Sequence, residues 1–468
     1  MYGPAQLGFY VLGVTVVGLA STLARFGMEI SIVRFVAAYR AEGNPSKVRG
    51  TIMLSLWVSL ALSLALSSLT FLGAGFLANE VFDKPSLESI FRVISLSIPF
   101  VTVMNMVLWT TQGFQTVKYA TYVREVSQPL ISLGLIVIFY FLGSQVLGAV
   151  VAYVISMAAG SALGLYYLIR IFPGLLDRNL RPEFEGRVFF GVSVPILVTT
   201  VTEYVNAWIT IALAGALLTG EEVGIYSAAA RTATLAGVVY IAFDGIFTPL
   251  ISDLHRRGLL EELDYLYKEV SRWIFTSGLI VFSVLSLLSR DILAVFGEDF
   301  VAGWMVLVII AASQLFSSSI GATNRVLSMT GHQNVVMLAT VGAAATALVG
   351  SATLIPFYGI LGAAWATAAS VVLSNAIALA AIYRRMNLWP YSAQYLKSIA
   401  AGLLAASVVG LARWLIPVSN NILSILTFTL LFVAVFGAML FALGLNSSDR
   451  QFLRAFWTAV RQKMRPGG

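Results

Sequence analysis

The stretch GEEVGIYSAAARTATLAGVVYIAFDGIFTPLISDLHRRGLLEELDYLYKEVSRW (residues 220–273) decides the fold, because a second copy of its plan opens the chain. The segment LGFY (7–10) matches VGIY (223–226). Each begins a long apolar segment that ends in a basic loop containing glycine, AYRAEG (38–43) in the first copy and DLHRRG (253–258) in the second. The sequence therefore contains an internal repeat with an offset of about 215 residues.

The same offset returns further along the chain, as an internal repeat requires. Three more pairs of segments match: VFD (81–83) with VFG (295–297), TQGFQ (111–115) with MTGHQ (329–333), and VLGAVVAYVIS (146–156) with ILGAAWATAAS (360–370). We therefore expect two half-proteins of similar architecture.

The composition is that of a membrane protein. Of the 468 residues, 59% are hydrophobic and 11% are charged, and the mean hydropathy is +0.88. Soluble domains are about one half apolar and about one quarter charged. Most Lys and Arg lie between apolar segments. The net charge of +7 therefore indicates how the chain is oriented in the membrane and does not indicate binding to nucleic acid. The absence of cysteine excludes disulfide and thiolate chemistry.

Thirteen segments have the roughly 20 apolar residues that cross about 30 Å of hydrocarbon. We place these spans at 8–34, 51–78, 88–113, 122–142, 146–170, 187–218, 222–252, 270–290, 301–329, 334–355, 359–383, 394–415 and 421–443. With the repeat, they predict an all-α polytopic membrane protein that has two pseudo-symmetric helical lobes and two further C-terminal helices.

Lys and Arg set the orientation of the spans, because they accumulate in cytoplasmic loops. They concentrate in one set of loops, which includes the loop with Lys118 and Arg124, and in the C-terminal tail. The opposite set of loops holds only Lys84, Arg92, Arg290 and Arg413. We therefore expect a multi-pass protein of the cell membrane with a cytoplasmic C-terminus.

The repeat also predicts a span that the chain lacks. In the second half, the span at 187–218 precedes the GEEVGIY turn, whereas the corresponding span of the first half would lie before Gly3. We therefore expect a parent architecture of fourteen helices whose first helix is missing here, through a misplaced start codon or a truncation. A native protein of thirteen spans is the alternative.

The repeat and the spans divide the chain into five regions. These are an N-terminal lobe of five helices (1–170), a cytoplasmic linker (171–186), a C-terminal lobe of six helices (187–385), two additional membrane helices (386–443) and a basic tail (444–468). The tail places Phe452, Phe456 and Trp457 among arginines, which favours binding along the anionic inner leaflet.

Several stretches of the second half resemble a known family. They are GEEVGIYSAAAR (220–231), ELDYLYKEVSRW (262–273), FGEDFVAGWMVLVIIAASQLFSSSIGATNRVLSMTGHQN (296–334), LIPFYGILGAAWATAASVVLSN (354–375) and AIYRR (381–385). Together they resemble the polysaccharide-biosynthesis flippases, the oligosaccharide-lipid branch of the multidrug/oligosaccharidyl-lipid/polysaccharide (MOP) exporter superfamily. The resemblance implies two six-helix lobes around a central cavity, two additional helices, and alternating access that carries a polyprenyl-linked sugar across the membrane. One departure is Ile211, where many relatives have an acidic residue.

Six ionisable side chains are candidates for the hydrocarbon zone of the predicted spans, where a charge is costly unless it faces a partner or a wet cavity. They are Arg25, Glu29, Glu203, Arg231, Asp244 and Arg325. Arg25 and Glu29 are four residues apart on one predicted helix and share a face. Either they form a self-neutralised pair, or Arg25 binds a lipid diphosphate while Glu29 orients it or takes up protons.

The other two arginines offer cations for the same ligand. Arg325 lies near the loop of Gly331 and either contacts the ligand or extends to the inner headgroups. Arg231 lies about three turns inside its helix, too deep to reach the headgroups easily, and is the leading candidate for a cavity cation.

Glu203 and Asp244 are candidate cavity or coupling carboxylates. Burial of Glu203 would favour its protonated form, which suits proton coupling, unless a neighbouring helix satisfies a neutral structural acid. Asp244 precedes Pro249, where a kink frees backbone carbonyls, and it either binds a cation or satisfies the kink. The candidate sugar contacts, otherwise ordinary interfacial polar residues, are Asn206, Gln112, Gln128 and Asn324.

Two transporter functions and one enzyme class differ in the residues that they require. A flippase for a polyprenyl-diphosphate-linked oligosaccharide needs a cationic cavity between two lobes, which three interior arginines and the repeat favour. The alternative, a cation-coupled exporter of drugs or small organic cations, needs a net acidic cavity. An enzyme is not expected, because His255 and His332 have no partners for base–nucleophile or metal chemistry.

The flippase hypothesis carries further expectations. The partners would be the polyprenyl-diphosphate-linked glycan, membrane lipids, and the polysaccharide polymerase and glycosyltransferases of the same pathway. No cofactor, metal or nucleic acid is expected, and coupling to a Na⁺ or H⁺ gradient is left open.

Overall fold

The computed structural model describes residues 3–416, 418 and 420–444. It leaves undescribed the side chains of residues 239, 241, 242, 244–246, 248 and 249. The predicted carboxylate role of Asp244 and nearly all of the predicted basic tail (444–468) therefore lie outside the described residues. The described chain consists of helices, turns and loops without a strand, which confirms the predicted all-α class.

Ten of the described helices are long and apolar enough to cross a membrane, against thirteen predicted spans. The pair Leu87–Ser95 and Ser97–Gly113, bent by 42°, makes an eleventh. The helix Gln333–Met386 contains two predicted spans in its 54 residues, because the chain turns at Gly359, whose backbone is not helical (φ 57°, ψ −133°).

The predicted span 222–252 accounts for the rest of the difference. The structure divides it into the helices Gly220–Ala233 and Val238–Arg256, which a short 3-10 turn separates. Neither helix is counted among the ten. The sequence therefore places the helical segments correctly but does not show where they break.

The chain divides into two compact units. The first comprises Met1–Ser227 with Ser351–Ile360, and the second comprises Ala228–Gly350 with Leu361–Gly468. The borders predicted for the two lobes stay a prediction. The helices that lie wholly in the first unit are α1 Pro4–Arg25, α2 Met28–Ala41, α3 Pro45–Leu72, α4 Ala74–Phe76, α5 Leu87–Ser95, α6 Ser97–Gly113, α7 Lys118–Thr121, α8 Gln128–Phe141, α9 Val146–Ile171 and α10 Gly186–Leu217.

The next helix begins in the first unit and ends in the second. It is α11 Gly220–Ala233. The helices that follow are α12 Val238–Arg256, α13 Leu260–Leu287, α14 Ser289–Ala294, α15 Trp304–Ser319, α16 Thr323–Met329, α17 Gln333–Met386, α18 Gln394–Leu415 and α19 Asn421–Ala442.

The two C-terminal helices pack on α13 within the second unit. Phe275 of α13, Ala405 of α18 and Phe432 of α19 are buried in one hydrophobic cluster. The Tyr395 hydroxyl of α18 donates a hydrogen bond of 3.0 Å to the carbonyl oxygen of Ser319, at the end of α15. This contact satisfies a carbonyl at a helix end, and the apolar cluster holds the appended helices in place.

Helix α3 buries small polar residues and exposes large apolar ones, the reverse of a helix in a soluble protein. Its buried stripe consists of Ser55, Ser59, Ser63 and Ser67 at intervals of four residues. Leu69 and Leu72 of the same helix are 67% and 82% exposed. Small side chains let helices approach closely in lipid, where burying leucine brings no advantage. This arrangement supports the membrane assignment.

The linker between the two halves is fixed to the cytoplasmic end that the sequence predicts for the first half. Tyr39 donates a hydrogen bond to the Glu185 carboxylate, and Lys47 Nζ lies 2.6 Å from Glu185 Oε1. These hydrogen bonds hold the pKa of Glu185 below its usual range, and the one from Lys47 contributes most. The backbone N–H of Glu183 donates to the carbonyl of Ser46 at 3.1 Å.

The first turns of α1 and α11 cross at glycines. A methyl group added at Gly8 would overlap the carbonyl oxygen of Gly220, and one added at Gly224 would overlap the carbonyl oxygen of Pro4. Gly8 and Gly224 occupy the same place in the repeated LGFY and VGIY segments. Equivalent positions of the two repeats therefore meet backbone against backbone.

Alanine at Gly8 should destabilise the protein, whereas alanine at Gly134 should not. Gly8→Ala must push two backbones apart and should cost about 1–3 kcal/mol, the usual cost of overpacking. Gly134 lies in α8 with no atom within 4 Å of an added methyl group. Gly134→Ala should therefore stabilise the helix by up to about 1 kcal/mol. Thermal unfolding of both variants in detergent tests the difference, and equal shifts would contradict the crossing.

Candidate functional site

The candidate site begins at a break between α1 and α2. Helix α1 ends at Arg25, and Phe26 and Gly27 follow with φ values of 52° and 70° before α2 begins. A methyl group at Gly27 would overlap the backbone of Ser193 and Leu197 in α10. Glycine is therefore required twice, for the left-handed conformation and for the close approach of α10.

Arg25 and Glu29 face each other across this break. Arg25 Nε lies 3.5 Å from Glu29 Oε1, and the two side chains are 14% and 4% exposed. The predicted pairing is confirmed, but the prediction of one continuous helix is wrong, because the chain breaks between them. Arg25 lies in the last turn of α1 and Glu29 in the first turn of α2, so each charge also complements the dipole of its own helix end.

Hydroxyl groups of α1 orient the Arg25 guanidinium. Its Nη1 donates to Ser21 Oγ at 3.0 Å, and its Nη2 donates to Thr22 Oγ1 at 3.1 Å. The second carboxylate oxygen of Glu29 is buried without a hydrogen-bond partner in the described structure. The pair is therefore only partly satisfied, although burying an ionised oxygen without a partner is costly.

Sequence reasoning missed Arg124, which it assigned to a cytoplasmic loop. The structure places Arg124 half-buried in a π-helical turn, Tyr122–Ser127, at the start of a candidate span. Its Nη2 donates to Asn105 Oδ1 of α6 at 3.0 Å. A signal was present in the sequence, because Arg124 lies inside the predicted span 122–142 and one turn before Gln128.

Two of the predicted sugar contacts also lie in the first unit near helix ends. Gln128 is half-buried, and its Nε2 donates to Ser156 Oγ of α9 at 3.1 Å. Gln112 is half-buried one residue before the end of α6. Of the two, Gln128 lies on the same helical segment as Arg124.

Helix α10 carries Glu203 and Asn206. Glu203 is exposed, and Asn206 is half-buried. Between them, the Tyr204 hydroxyl donates to the carbonyl oxygen of Thr15 at 2.7 Å. The neighbouring helices of the first unit therefore do not bury Glu203, and the desolvation expected of it is not provided by the protein.

The remaining predicted residues lie in the second unit. Arg231 is exposed in the last turn of α11. Arg325 is exposed on α16 and lines a small cleft with Phe243 and Phe247 of α12. Asn324, beside it, is half-buried. Within the described residues, no group of three or more His, Asp and Glu side chains is placed to hold a metal ion.

Removing either partner of the Arg25–Glu29 pair should destabilise the protein more than removing both. Arg25→Gln or Glu29→Gln leaves one buried charge without its partner, which costs about 3–5 kcal/mol. The double variant should cost less than either single variant. The free energies of unfolding of the wild type, both single variants and the double variant, measured in detergent, give the coupling free energy between the two residues.

The control is the exposed pair Arg92–Glu88, at 2.6 Å with side chains 54% and 35% exposed. Its coupling should be about 1 kcal/mol or less, because water screens such pairs. Additive losses at Arg25 and Glu29 would contradict the assignment of a buried pair.

Comparison with known proteins places the chain in a family. Residues 1–255 match the family described as polysaccharide biosynthesis protein. Stage V sporulation protein B of Bacillus subtilis is 22% identical over 437 residues, which are 87% of this chain and 83% of that protein. The probable low-salt glycan biosynthesis flippase Agl15 of Haloferax volcanii is 26% identical over 202 residues, 42% of each protein.

Two solved structures share the fold. An inward-facing multidrug resistance MATE family transporter of the MOP superfamily has a TM-score of 0.68 at 14% identity, over 82% of this chain and 91% of its own. The lipid II flippase MurJ, in an inward closed conformation, has a TM-score of 0.65 at 14% identity, over 93% and 96%. These likenesses confirm the predicted fold class of two helical lobes. Because the family match extends over more than half of the sequence, the chain belongs to the polysaccharide biosynthesis protein family.

Proposed function

We propose that this protein is a flippase that moves a polyprenyl-diphosphate-linked oligosaccharide from the inner to the outer leaflet for cell-surface polysaccharide biosynthesis. The observation that carries the proposal is Arg25, a nearly buried guanidinium held at a helix break by two hydroxyls and a carboxylate. Such a fork binds phosphate oxygens through parallel N–H donors. The family and the likeness to a protein described as a glycan biosynthesis flippase support the same cargo.

The mechanism assigns a role to each charged residue. Arg25 and Arg325 bind the diphosphate when the cavity is open to the cytoplasm, and Glu29 keeps the Arg25 guanidinium in place. Arg231 receives the diphosphate after the lobes have rocked. Gln112, Gln128, Asn206 and Asn324 contact the sugar, while the prenyl tail stays in lipid. No residue is assigned a catalytic role, in keeping with the relatives described as transporters and flippases.

The crossing of α1 and α11 serves as the outer gate. The distribution of Lys and Arg supports an orientation in which the first turns of both helices lie at the outer face and the C-terminus lies in the cytoplasm. In the structure, Gly8 and Gly220 bring these turns into backbone contact. Opening this contact is the step that releases the glycan to the outside, where a polymerase or glycosyltransferase of the pathway takes it.

An ion gradient drives the return of the empty carrier. Glu29, Glu203 and Asp244 are the carboxylates proposed to couple transport to H⁺ or Na⁺. Among them, Glu29 has a buried oxygen without a hydrogen-bond partner in the described structure.

The alternative function is a cation-coupled exporter of drugs or small organic cations. The fold similarity to a MATE family transporter and the exposed carboxylate of Glu203 favour it. The buried Arg25 opposes it, because a cationic substrate would meet a like charge.

Transport by the purified protein in liposomes tests the proposal. With a labelled polyprenyl-diphosphate-linked oligosaccharide in both leaflets, the wild type should expose the inner pool to a non-permeant glycosidase added outside. Arg25→Gln should slow this exposure at least tenfold, because phosphate loses its charged donor. Arg92→Gln, which changes an exposed arginine, should transport at the wild-type rate.

Two results would reject the flippase proposal. One is a full rate of exposure in Arg25→Gln. The other is a wild type that leaves the glycan in the inner leaflet but transports ethidium in the same vesicles, which is the behaviour of the alternative exporter.

A further inference from the structure

Arg124 is an interior cation to which the mechanism above gives no role. It lies in the π-helical turn Tyr122–Ser127, which ends two residues before Pro129 in α8. Pro129 has no N–H to donate to the carbonyl of Glu125, so the chain widens here. Such π-helical turns occur frequently at functional sites.

Hydrogen bonds connect the surroundings of Arg124 with those of Arg25. Arg124 donates to Asn105, and Thr102, one turn earlier on the same face of α6, donates to Ser21 Oγ at 3.2 Å. Ser21 is the residue that accepts from Arg25 Nη1. The two guanidinium groups are therefore fixed against the same face of one helix.

The buried carboxylate in this part of the first unit is that of Glu29. Glu125, the neighbour of Arg124 in the chain, is exposed. Glu29 is already engaged by Arg25 at 3.5 Å. Two like charges inside a membrane protein raise its energy unless an anion compensates them. The arrangement carries one positive charge more than Glu29 neutralises.

We propose that Arg124 and Arg25 together form a diphosphate site in the first unit, with one guanidinium for each phosphate group. The inference rests on the proposed function and adds a residue and a selectivity to it. Asn105 positions Arg124, as Ser21 and Thr22 position Arg25. Each fork pairs with two oxygens of one phosphate.

The site selects a diphosphate over a monophosphate. A prenyl monophosphate offers oxygens to one fork only, and the second guanidinium remains uncompensated. A prenyl diphosphate pairs with both forks. Loss of Arg124 should therefore weaken binding of the diphosphate and leave binding of the monophosphate nearly unchanged, a pattern that a merely structural role does not produce.

Binding of farnesyl diphosphate and farnesyl monophosphate to the purified full-length protein, measured by calorimetry in detergent, tests the site. The wild type should bind the diphosphate at least tenfold more tightly. Arg124→Gln should lose about tenfold for the diphosphate and stay within twofold for the monophosphate. Arg124→Lys should be intermediate, because it keeps the charge and loses the fork. Arg92→Gln should match the wild type.

The inference is overturned if Arg124→Gln binds the diphosphate within twofold of wild type, if both ligands weaken equally, or if the wild type shows no preference or no binding. The liposome assay separates this failure from that of the proposed function. Glycan transport without Arg124-dependent binding leaves the flippase and rejects the site. The expected binding pattern without transport leaves the site and rejects the flippase.

Discussion

The break between α1 and α2 is the constraint on which the rest of the candidate site depends. Gly27 permits the turn and lets the backbone of α10 lie directly against it. The break creates two helix ends inside the protein, and Arg25 and Glu29 complement their dipoles from opposite sides. A charge pair is thereby tolerated between two helices of largely apolar character, and the hydroxyls of Ser21 and Thr22 fix the position of the Arg25 guanidinium.

The packing around this break follows the rules of lipid as a solvent. Where the surroundings are as apolar as leucine, burial of leucine contributes little, and close contact of small residues holds helices together. The serines of α3 and the glycines at the crossing of α1 and α11 are the clearest cases. Along α3, the buried side is thus the more polar side of the helix.

The sequence predicted the class, the helical segments, the repeat and the pairing of Arg25 with Glu29. It did not predict the break at Phe26, because Phe26 and Gly27 lie inside a long and mostly apolar stretch whose pattern continues on both sides. It assigned Arg124 to a loop, because a positive charge near the end of a span indicates the cytoplasmic side of the membrane. That rule does not tell whether the side chain points into the protein. It expected a desolvated Glu203, because the hydropathy of a span does not tell which face of the helix meets protein.

The most direct test of the account is to identify the lipid that the protein carries. Lipids extracted from the protein purified under mild conditions, and from Arg25→Gln, can be compared by mass spectrometry. The account predicts a polyprenyl diphosphate bearing a glycan in the wild type and its depletion in the variant. Ordinary phospholipids alone in both preparations, with no diphosphate lipid, would contradict it.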